Sequence, residues 1–295
     1  MTQHLDAIVL KCIGGFYYVE AADAVYECRA RGILRKRGIS PVAGDNVRIS
    51  VIDSNTGWIE DIGERRNFLI RPPVANIDIL VVVASIAEPE PNTLVIDKMV
   101  ATAEKNDIEP IIVITKSDLG DTSYIEGIYK KSLFEVFTVS NITGQGVAPI
   151  KKRLKGNLCA LCGNSGVGKS SLLNSLDPKY TLETGKISKK LGRGRHTTRA
   201  VEIFSLDFGA RVVDTPGFSS LDFKMNKDEL AGCFREFRSY LTKCRFSSCS
   251  HIKENGCAVL EAVRHGAITV ERHNNYCEIY DEIKDIKAWD KSKGD

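Results

Sequence analysis

A glycine-rich stretch in the middle of the chain has the residue types and spacing that bind phosphate. Residues 163–170 read GNSGVGKS and fit the pattern G-x-x-x-x-G-K-[ST], between an apolar strand and a predicted helix, SSLLNSL. Glycines let backbone N–H groups point at phosphate oxygens, and the N-terminus of the following helix adds a favourable dipole. We expect Lys169 to reach the β- and γ-phosphates and Ser170 to hold Mg²⁺ through its hydroxyl. The predicted phosphate-binding residues are Gly163, Asn164, Ser165, Gly166, Val167, Gly168, Lys169, Ser170 and Ser171.

A second short motif, DTPG at 214–217, follows the apolar stretch ARVVD. Asp214 is therefore expected at a strand end, where its carboxylate holds Mg²⁺ directly or through water. The backbone N–H of Gly217 is expected to contact the γ-phosphate. A four-residue pattern of this kind is weak alone, but downstream of a phosphate loop it predicts the other half of a Mg²⁺–nucleotide site.

The motif TKSD at 115–118 follows the apolar stretch PIIVIT and predicts which base is bound. An aspartate carboxylate presents two adjacent acceptors, which match the N1–H and N2–H₂ donors of guanine, so Asp118 favours GTP over ATP. The stem of Lys116 would lie over the purine, and Thr115 stands where asparagine is commoner. The later stretch VSNITGQG would bring Ser140 and the backbone near Asn141 to the guanine O6. The predicted base-contacting residues are Thr115, Lys116, Ser117, Asp118, Ser140 and Asn141.

These motifs occur in an unusual order along the chain. In ordinary GTPases the phosphate loop comes first and the guanine-reading motif comes last, whereas here the guanine motif leads and D-x-x-G comes last. If the standard chain is cut after D-x-x-G and its natural ends are joined, this order results, with the join near Lys155-Gly156. Domain ends often lie close together, so such a rewiring preserves both the sheet and the site. The sequence therefore predicts a circularly permuted nucleotide-binding domain.

Cysteine and histidine residues are concentrated near the C-terminus in the pattern C-x4-C-x-H-x5-C. Four such ligands within 14 residues suit a closed, tetrahedral, structural Zn²⁺ site. The predicted zinc ligands are Cys244, Cys249, His251 and Cys257. His265 and His273 are possible competitors, while the remaining cysteines, which have no such grouping, are interpreted as small packed residues. Those cysteines are Cys12, Cys28, Cys159, Cys162, Cys233 and Cys277.

Length and composition indicate an ordinary globular protein of two or three domains. The chain has 295 residues, 43% of them hydrophobic and 27% charged, and its longest mainly apolar run, 79–87, is too short to span a bilayer. The N-terminus lacks the features of a signal peptide, so we expect a cytoplasmic protein. The net charge of +3 does not itself imply nucleic-acid binding, but residues 185–200 contain six lysines and arginines and no acid.

The pattern of apolar residues divides the chain into three regions. Residues 1–71 read as short strands separated by turns, which fits an OB-like β-barrel, and their basic run RARGILRKRG is either an RNA-facing surface or a solvated loop. Residues 72–221, after Pro72-Pro73, alternate apolar strands with helices and predict an α/β domain whose mainly parallel sheet is covered on both faces. Residues 222–295 are predicted to be mainly helical around the zinc ligands.

Taken together, these motifs and regions resemble the circularly permuted GTPases of the RsgA (YjeQ/YloQ) type, which are assembly factors of the small ribosomal subunit. The resemblance rests on the N-terminal barrel, the order TKSD, GNSGVGKS, GRGRHTTR and DTPG, and the C-terminal cysteine/histidine cluster. It implies a GTPase that binds the small subunit and its rRNA and couples GTP hydrolysis to late subunit assembly and to its own release. It also implies GTP/GDP, Mg²⁺ and Zn²⁺ as ligands. We expect a monomer that binds neither DNA nor membranes.

The residue that positions the attacking water is not the usual one. Many GTPases have a glutamine directly after D-x-x-G, but Phe218 stands there and its ring cannot hydrogen-bond water. We expect slow intrinsic hydrolysis, with His196 as the water-positioning residue, in agreement with the family resemblance. Either Thr197 or Thr198 would complete the Mg²⁺ shell. The alternatives are that His196 contacts RNA or is merely exposed, and that arginines of the same segment neutralise charge in the transition state.

Two other functions are compatible with parts of the sequence. One is a GTP-dependent regulatory switch that acts on a protein partner, with the barrel and the zinc region as docking surfaces. The other is an ATP-dependent enzyme acting on nucleic acid, which Asp118 disfavours. Salt distinguishes RNA binding from protein binding, because affinity for RNA falls steeply as ionic strength rises.

Overall fold

The computed structural model describes residues 3–22, 24–36, 38–179, 201–214 and 223–285. Its N-terminal part is a closed barrel of five strands that pair in the order β1–β2–β3–β5–β4, with β4 returning to β1. All pairings are antiparallel except that of β3 with β5, which is parallel. This topology confirms the predicted OB-like barrel. Its strands are β1 (His4–Ile13), β2 (Phe16–Ala21), β3 (Ala24–Ala30), β4 (Asn46–Val51) and β5 (Thr56–Ile62).

The middle of the basic run forms a short helix, α1 (Gly32–Lys36), directly after β3. Leu34 explains the helix, because its side chain is 1% exposed and completes the apolar interior of the barrel. Ile33, next to it, is exposed. The basic residues of this run are therefore carried on a segment that is anchored in the barrel core.

A two-stranded hairpin, β6 (Phe68–Ile70) and β7 (Pro73–Ala75), connects the barrel to the rest of the chain. The hairpin is tied to a barrel loop, because the N–H of Ala75 donates to the carbonyl of Ala43 at 2.9 Å. Gly44 in that loop has φ +87°, and a Cβ there would lie 2.0 Å from the carbonyl oxygen of Ala75. Only glycine allows this close approach.

The central part is a six-stranded sheet in the order β10-β9-β8-β11-β13-β12, parallel except for β12 against β13. Alternate residues of β8 pack into different apolar clusters: Leu80 and Val82 face one side of the sheet, while Ile79 and Val81 face the other. Both faces are therefore covered, as the sequence predicted. The strands are β8 (Ile79–Ser85), β9 (Glu109–Thr115), β10 (Glu135–Thr138), β11 (Leu158–Cys162), β12 (Glu202–Ser205) and β13 (Arg211–Asp214).

Four helices cover this sheet, and the strand before the phosphate loop lies at its centre. Strand β11 pairs with β8 on one side and with β13 on the other, although it follows β8, β9 and β10 in the chain. The predicted join at Lys155-Gly156 is a turn between helix α4 and β11. The helices are α2 (Thr93–Lys105), α3 (Ser123–Lys131), α4 (Val147–Leu154) and α5 (Lys169–Leu176).

The C-terminal part is mainly helical, as predicted, and packs against α2. Its apolar core is formed around the rings of Phe234, Phe237 and Tyr276, which pack in tilted and edge-on pairs with centroids 4.9–5.2 Å apart. No helix within the described ranges combines the length and apolar character needed to cross a bilayer. The helices are α6 (Lys227–Leu230), α7 (Ala258–Arg264) and α8 (Val270–Ile283), with three short 3₁₀ turns at Ala231–Cys233, Arg235–Phe237 and Leu241–Lys243.

Candidate nucleotide site and metal centre

The sheet brings the phosphate loop and the guanine-reading motif to the same edge. Strands β8, β9 and β11 are parallel, with Ser85 opposite Thr115 and Val82 opposite Cys162. TKSD leaves the carboxyl end of β9, and GNSGVGKS leaves the carboxyl end of β11. In open α/β sheets this is the edge at which ligands bind.

Thr115 joins the two motifs directly. Its hydroxyl, in a residue that is 0% exposed, donates to the carbonyl oxygen of Val167 in the phosphate loop at 2.5 Å. The carbonyl oxygen of Ala84 lies 3.2 Å from the same hydroxyl. Threonine at this position departs from the usual motif, and the sequence does not predict this contact, which links residues 52 positions apart.

The phosphate loop wraps around the side chain of Lys169. The Lys169 ammonium donates to the carbonyl oxygens of Gly163 at 2.7 Å and Asn164 at 2.8 Å, and its partial burial lowers its pKa. Gly163 has φ +141°, and a Cβ there would lie 2.2 Å from the carbonyl of Val83, so this turn requires glycine. Helix α5 begins at Lys169, which puts the half-buried Ser170 and Ser171 in its first turn, where free N–H groups favour an anion.

The guanine-reading motif forms a turn that leaves Asp118 exposed. Lys116, at φ +58°, donates its ammonium to the carbonyl oxygens of Ala87, at 3.2 Å, and of Glu88. The N–H of Ser117 donates to the carbonyl of Val139 at 3.2 Å, which places the second base-contacting stretch beside the motif. The loop between β8 and α2 that receives the Lys116 ammonium was not predicted, because it contains no motif.

Ser140 and Asn141 lie in a tight turn next to TKSD. Ser140 is 1% exposed, its N–H donates to the carbonyl of Gln145 at 3.1 Å, and its carbonyl accepts from Gly144 at 2.9 Å. Its hydroxyl accepts from the N–H of Thr143 at 3.2 Å. The turn is therefore held by its own hydrogen bonds.

Only part of the predicted Mg²⁺ and hydrolysis machinery falls within the described residues. Asp214 is the last residue of β13. The residue before it, Val213, pairs with Ala160 of β11, the strand that leads into the phosphate loop. The backbone of Asp214 is thus at the same edge of the sheet. The remaining predicted residues, which lie outside the described residues, are His196, Thr197, Thr198, Gly217 and Phe218.

The four predicted zinc ligands converge on one point. The ligand atoms of Cys244, Cys249, His251 and Cys257 all lie within 4.8 Å of one another. The Nδ1 atom of His251 is 3.5 Å from the sulfurs of both Cys244 and Cys257. Zn–S and Zn–N bonds of about 2.3 and 2.0 Å in a tetrahedron separate sulfur from nitrogen by about 3.5 Å. The donor set and spacing therefore fit a structural zinc ion that leaves no position for water.

The carboxylate of Glu254 organises the loop between these ligands. It accepts from the backbone N–H groups of Ser250 at 2.8 Å and of Ile252 and Lys253 at 3.1 Å, and from the Ser250 hydroxyl. Burial raises the pKa of Glu254, but these hydrogen bonds outweigh it and lower the pKa to about 2. The sequence pattern did not indicate this residue, because it binds backbone rather than metal.

Among the described residues, the other cysteines and histidines do not belong to this ligand cluster. His273 has its Nε2 2.8 Å from the carbonyl oxygen of His251, and His265 is paired with Glu261 on the surface of α7. None of the nine cysteines forms a disulfide. Burial raises the pKa of Cys159 to about 12 and that of Cys28 to about 11, as expected of packed thiols rather than reactive ones.

A phosphate loop and a guanine-reading turn at one edge of a parallel sheet, in reversed chain order, define a circularly permuted P-loop GTPase. Comparison with known proteins identifies the family. The RsgA GTPase model matches residues 62–224, and the RsgA N-terminal domain model matches residues 7–59. The chain therefore belongs to the RsgA GTPase family.

Relatives of this family match nearly the whole chain. Proteins named small ribosomal subunit biogenesis GTPase RsgA are 42% identical in Caldanaerobacter subterraneus subsp. tengcongensis, covering 96% of this chain and 97% of that protein, and 43% identical in Alkaliphilus metalliredigens, covering 94% and 97%. Among solved structures, YjeQ from Thermotoga maritima is 34% identical with a TM-score of 0.85, covering 97% of this chain and 100% of that one. The circularly permuted GTPase YloQ is 34% identical with a TM-score of 0.82, covering 97% and 96%.

Proposed function

We propose that this protein is a GTPase that binds the small ribosomal subunit and its rRNA and couples GTP hydrolysis to late subunit assembly and to its own release. The observation that carries the proposal is the 2.5 Å hydrogen bond from Thr115 to Val167, because it holds the guanine-reading motif against the phosphate loop. One guanosine nucleotide can then span both. The small ribosomal subunit is proposed as the partner because the relatives are named small ribosomal subunit biogenesis GTPases.

The residues at the sheet edge have separate roles in binding GTP and GDP. Asp118 selects guanine, the loop amides hold the phosphates, and Lys169 and the N–H of Gly217 stabilise the charge that develops on the γ-phosphate. Ser170 and Asp214, with one of the switch threonines Thr197 and Thr198, would hold Mg²⁺, which neutralises charge on the β- and γ-phosphates. The position of Asp214 beside the strand of the phosphate loop supports its role.

His196 positions the attacking water when the basic segment 185–200 docks on rRNA. Phe218 cannot perform this role, and the density of lysine and arginine around His196 suits contact with phosphates. Docking would bring the imidazole to the water. Hydrolysis is then slow in the free protein and fast on the subunit.

Aromatic and basic side chains on the barrel support contact with RNA. The guanidinium of Arg29 lies 4.6 Å from the ring centroid of Phe16, and that of Arg31 lies 5.9 Å from that of Trp58. Trp58 is 36% exposed. Such pairs combine a phosphate-binding charge with a surface on which bases stack.

The remaining parts of the proposal concern organisation and location. We assign residues 1–71 to the barrel, 72–221 to the GTPase domain and 222–295 to a domain that is stabilised by zinc on Cys244, Cys249, His251 and Cys257. The protein acts as a monomer in the cytoplasm, where the small subunit is assembled, and it has no role on DNA or membranes.

Turnover measurements with purified small subunits test the proposal. GTP and ATP hydrolysis are measured for wild type, His196→Ala and the control His265→Ala, which removes an exposed histidine on α7. We expect hydrolysis of GTP only, stimulation of wild type and control by small subunits, and a stimulated rate about 100-fold lower for His196→Ala. Equal stimulated rates would contradict the role of His196. Absence of stimulation in wild type would contradict the partner.

A further inference from the structure

The side chain of Asn141 carries a buried oxygen that has no hydrogen-bond partner. Three buried side-chain atoms in the described part of the chain lack a hydrogen bond: Asp97 Oδ1, Arg272 Nη1 and Asn141 Oδ1. The first two lie 2.5 Å apart in an ion pair. The Asn141 oxygen is therefore the exception, and native proteins rarely leave such a group unsatisfied without a functional reason.

Asn141 and Thr115 share the space beside the last glycine of the phosphate loop. A Cβ built at Gly168 would lie 3.4 Å from the Thr115 hydroxyl and 3.5 Å from the Asn141 amide nitrogen. Both side chains thus border the space beside Gly168, just before α5 begins. A larger side chain at 115 would compete with the Asn141 carboxamide for this space.

The backbone fixes Asn141 in this position. The turn that carries it is closed by the bonds of Ser140 to Gln145 and Gly144, and it is joined to TKSD through Ser117 and Val139. Ile142, the next residue, is 85% exposed. The location of the carboxamide is therefore a property of the folded loop.

The two side chains complement each other in size. Asparagine is commoner at the first position of the guanine-reading motif, and here the shorter Thr115 occupies it while a carboxamide comes from position 141. Thr115 bonds the carbonyl of Val167, and the Asn141 amide packs at Gly168. Thr115 thus bonds one residue of the phosphate loop, and the Asn141 amide borders the next.

We propose that Asn141 is a positioning residue of the nucleotide site, which acts with Thr115 in place of a single asparagine to hold the phosphate loop in register with the guanine-reading turn. An amide can present either its NH₂ or its oxygen after rotation about its last bond, so either end of the Asn141 carboxamide can lie against Gly168. The inference rests on the proposed GTPase function.

A double-mutant cycle on release of a fluorescent GDP analogue tests the proposal. The variants are Asn141→Ala, Thr115→Asn and the two combined, with Ile142→Ala as the control in the same turn. We expect about tenfold faster GDP release for each single substitution, the size of one lost hydrogen bond to a strongly bound group. Asn141→Ala leaves a gap, whereas Thr115→Asn crowds the existing amide. The combined variant restores one carboxamide and returns release to within about threefold of wild type.

Thermal unfolding of the nucleotide-free variants separates positioning from folding. Asn141→Ala and the control Ile142→Ala are expected to unfold within about 2 °C of wild type, whereas Thr115→Asn, at a fully buried position, should unfold several degrees lower and is therefore judged against the combined variant. Wild-type release rates for Asn141→Ala, or additive effects in the combined variant, would overturn the inference and leave the GTPase function intact. Failure of wild type to bind GDP would overturn both.

Discussion

Four hydrogen-bond donors converge on the carboxylate of Glu254, in the loop that carries three of the four proposed zinc ligands. Such a carboxylate sets the path of the loop and thereby the spacing of the sulfur and nitrogen atoms. Because hydrogen bonds lower its pKa to about 2 from 4.5, its contribution to stability is present above about pH 4.5 and is lost as pH falls toward 2. At neutral pH Glu254 is ionised, and its contribution to stability is therefore complete.

Replacing Glu254 by glutamine should weaken zinc binding. The amide offers one acceptor oxygen instead of two and presents its NH₂ to backbone donors, so the loop loses bonds that orient its ligands. We expect zinc affinity to fall about 10- to 100-fold, measured by competition with a coloured chelator at pH 7. Glu261→Gln is the matched control, because Glu261 pairs with the exposed side chains of Arg264 and His265. Equal zinc retention in the two variants would contradict the role of Glu254.

At the scale of single residues, the sequence predicted the side chains that act within contiguous motifs. Gly163 to Ser170, TKSD and the four zinc ligands are recognisable because each function needs fixed residue types at fixed spacing. The roles of Thr115, Asn141 and Glu254 were not predictable in this way. Their partners are backbone groups, which any sequence supplies, and only the fold brings them within bonding distance.

Helix α2 is the element that connects the nucleotide edge to the C-terminal part. The loop before it accepts the Lys116 ammonium, and its N-terminus is capped by Asn92, which accepts from the N–H of Val95 at 3.1 Å. In its middle, Asp97 pairs with Arg272 of α8 at 2.5 Å. The same arginine, 1% exposed, also pairs with Glu236 at 2.7 Å. Burial lowers the Arg272 pKa, but the two carboxylates outweigh it and raise that pKa overall.

Replacing Arg272 by methionine should destabilise the protein strongly. The substitution keeps much of the volume but leaves the carboxylates of Asp97 and Glu236 buried without a cation. Breaking a buried ion pair in this way costs about 3–5 kcal/mol in the free energy of unfolding, measured by urea denaturation. Arg264→Met, which removes an exposed ion pair on α7, should cost less than about 1 kcal/mol.

A second variant tests whether unpaired charge or lost packing causes the destabilisation by Arg272→Met. Combining Arg272→Met with Asp97→Asn and Glu236→Gln removes the stranded charges and should recover part of the lost stability. If this triple variant is no more stable than Arg272→Met alone, the loss is due to packing, and the electrostatic account of this interface is wrong.

At the scale of elements, hydrophobic periodicity predicted α2 and the strands of the sheet, because burial imposes those periods. It did not predict helix α1, since the helix depends on Leu34 entering the barrel. It also did not predict that α8 would place a buried arginine against α2. Pairings between distant helices depend on the tertiary arrangement, which a repeat of apolar residues does not specify.

At the scale of the whole molecule, the barrel and the α/β part share one continuous sheet of eleven strands. Strand β12 pairs with β1 of the barrel at Glu202 and Lys11, whose side chains form an ion pair at 3.0 Å. Arg211 and Glu20 form a second ion pair across the same junction at 2.6 Å. The sequence indicated three regions but not this shared sheet, because the pairing of edge strands leaves no mark in hydrophobic periodicity.

The basic segment 185–200 lies in the sequence just before β12, and β12 is the strand that pairs with β1 of the barrel. The proposed RNA-binding surfaces of the barrel and of this segment therefore belong to parts of the chain that are joined through β12 and β1. Phosphate contacts and base stacking make different contributions to binding, and salt separates them. The logarithm of affinity falls linearly with the logarithm of salt concentration, in proportion to the phosphates neutralised.

Arg29→Ala and Trp58→Ala should therefore affect binding to small-subunit rRNA in different ways, measured by titration at several salt concentrations. Arg29→Ala should weaken binding and reduce the salt slope by about 1, because one phosphate contact is lost. Trp58→Ala should weaken binding by about 1–3 kcal/mol with an unchanged slope, because stacking releases no counterions. Lys130→Ala, which removes an ion pair on α3, should change neither. A flat salt dependence in wild type would instead favour a protein partner, since only a polyanion gives up condensed ions on binding.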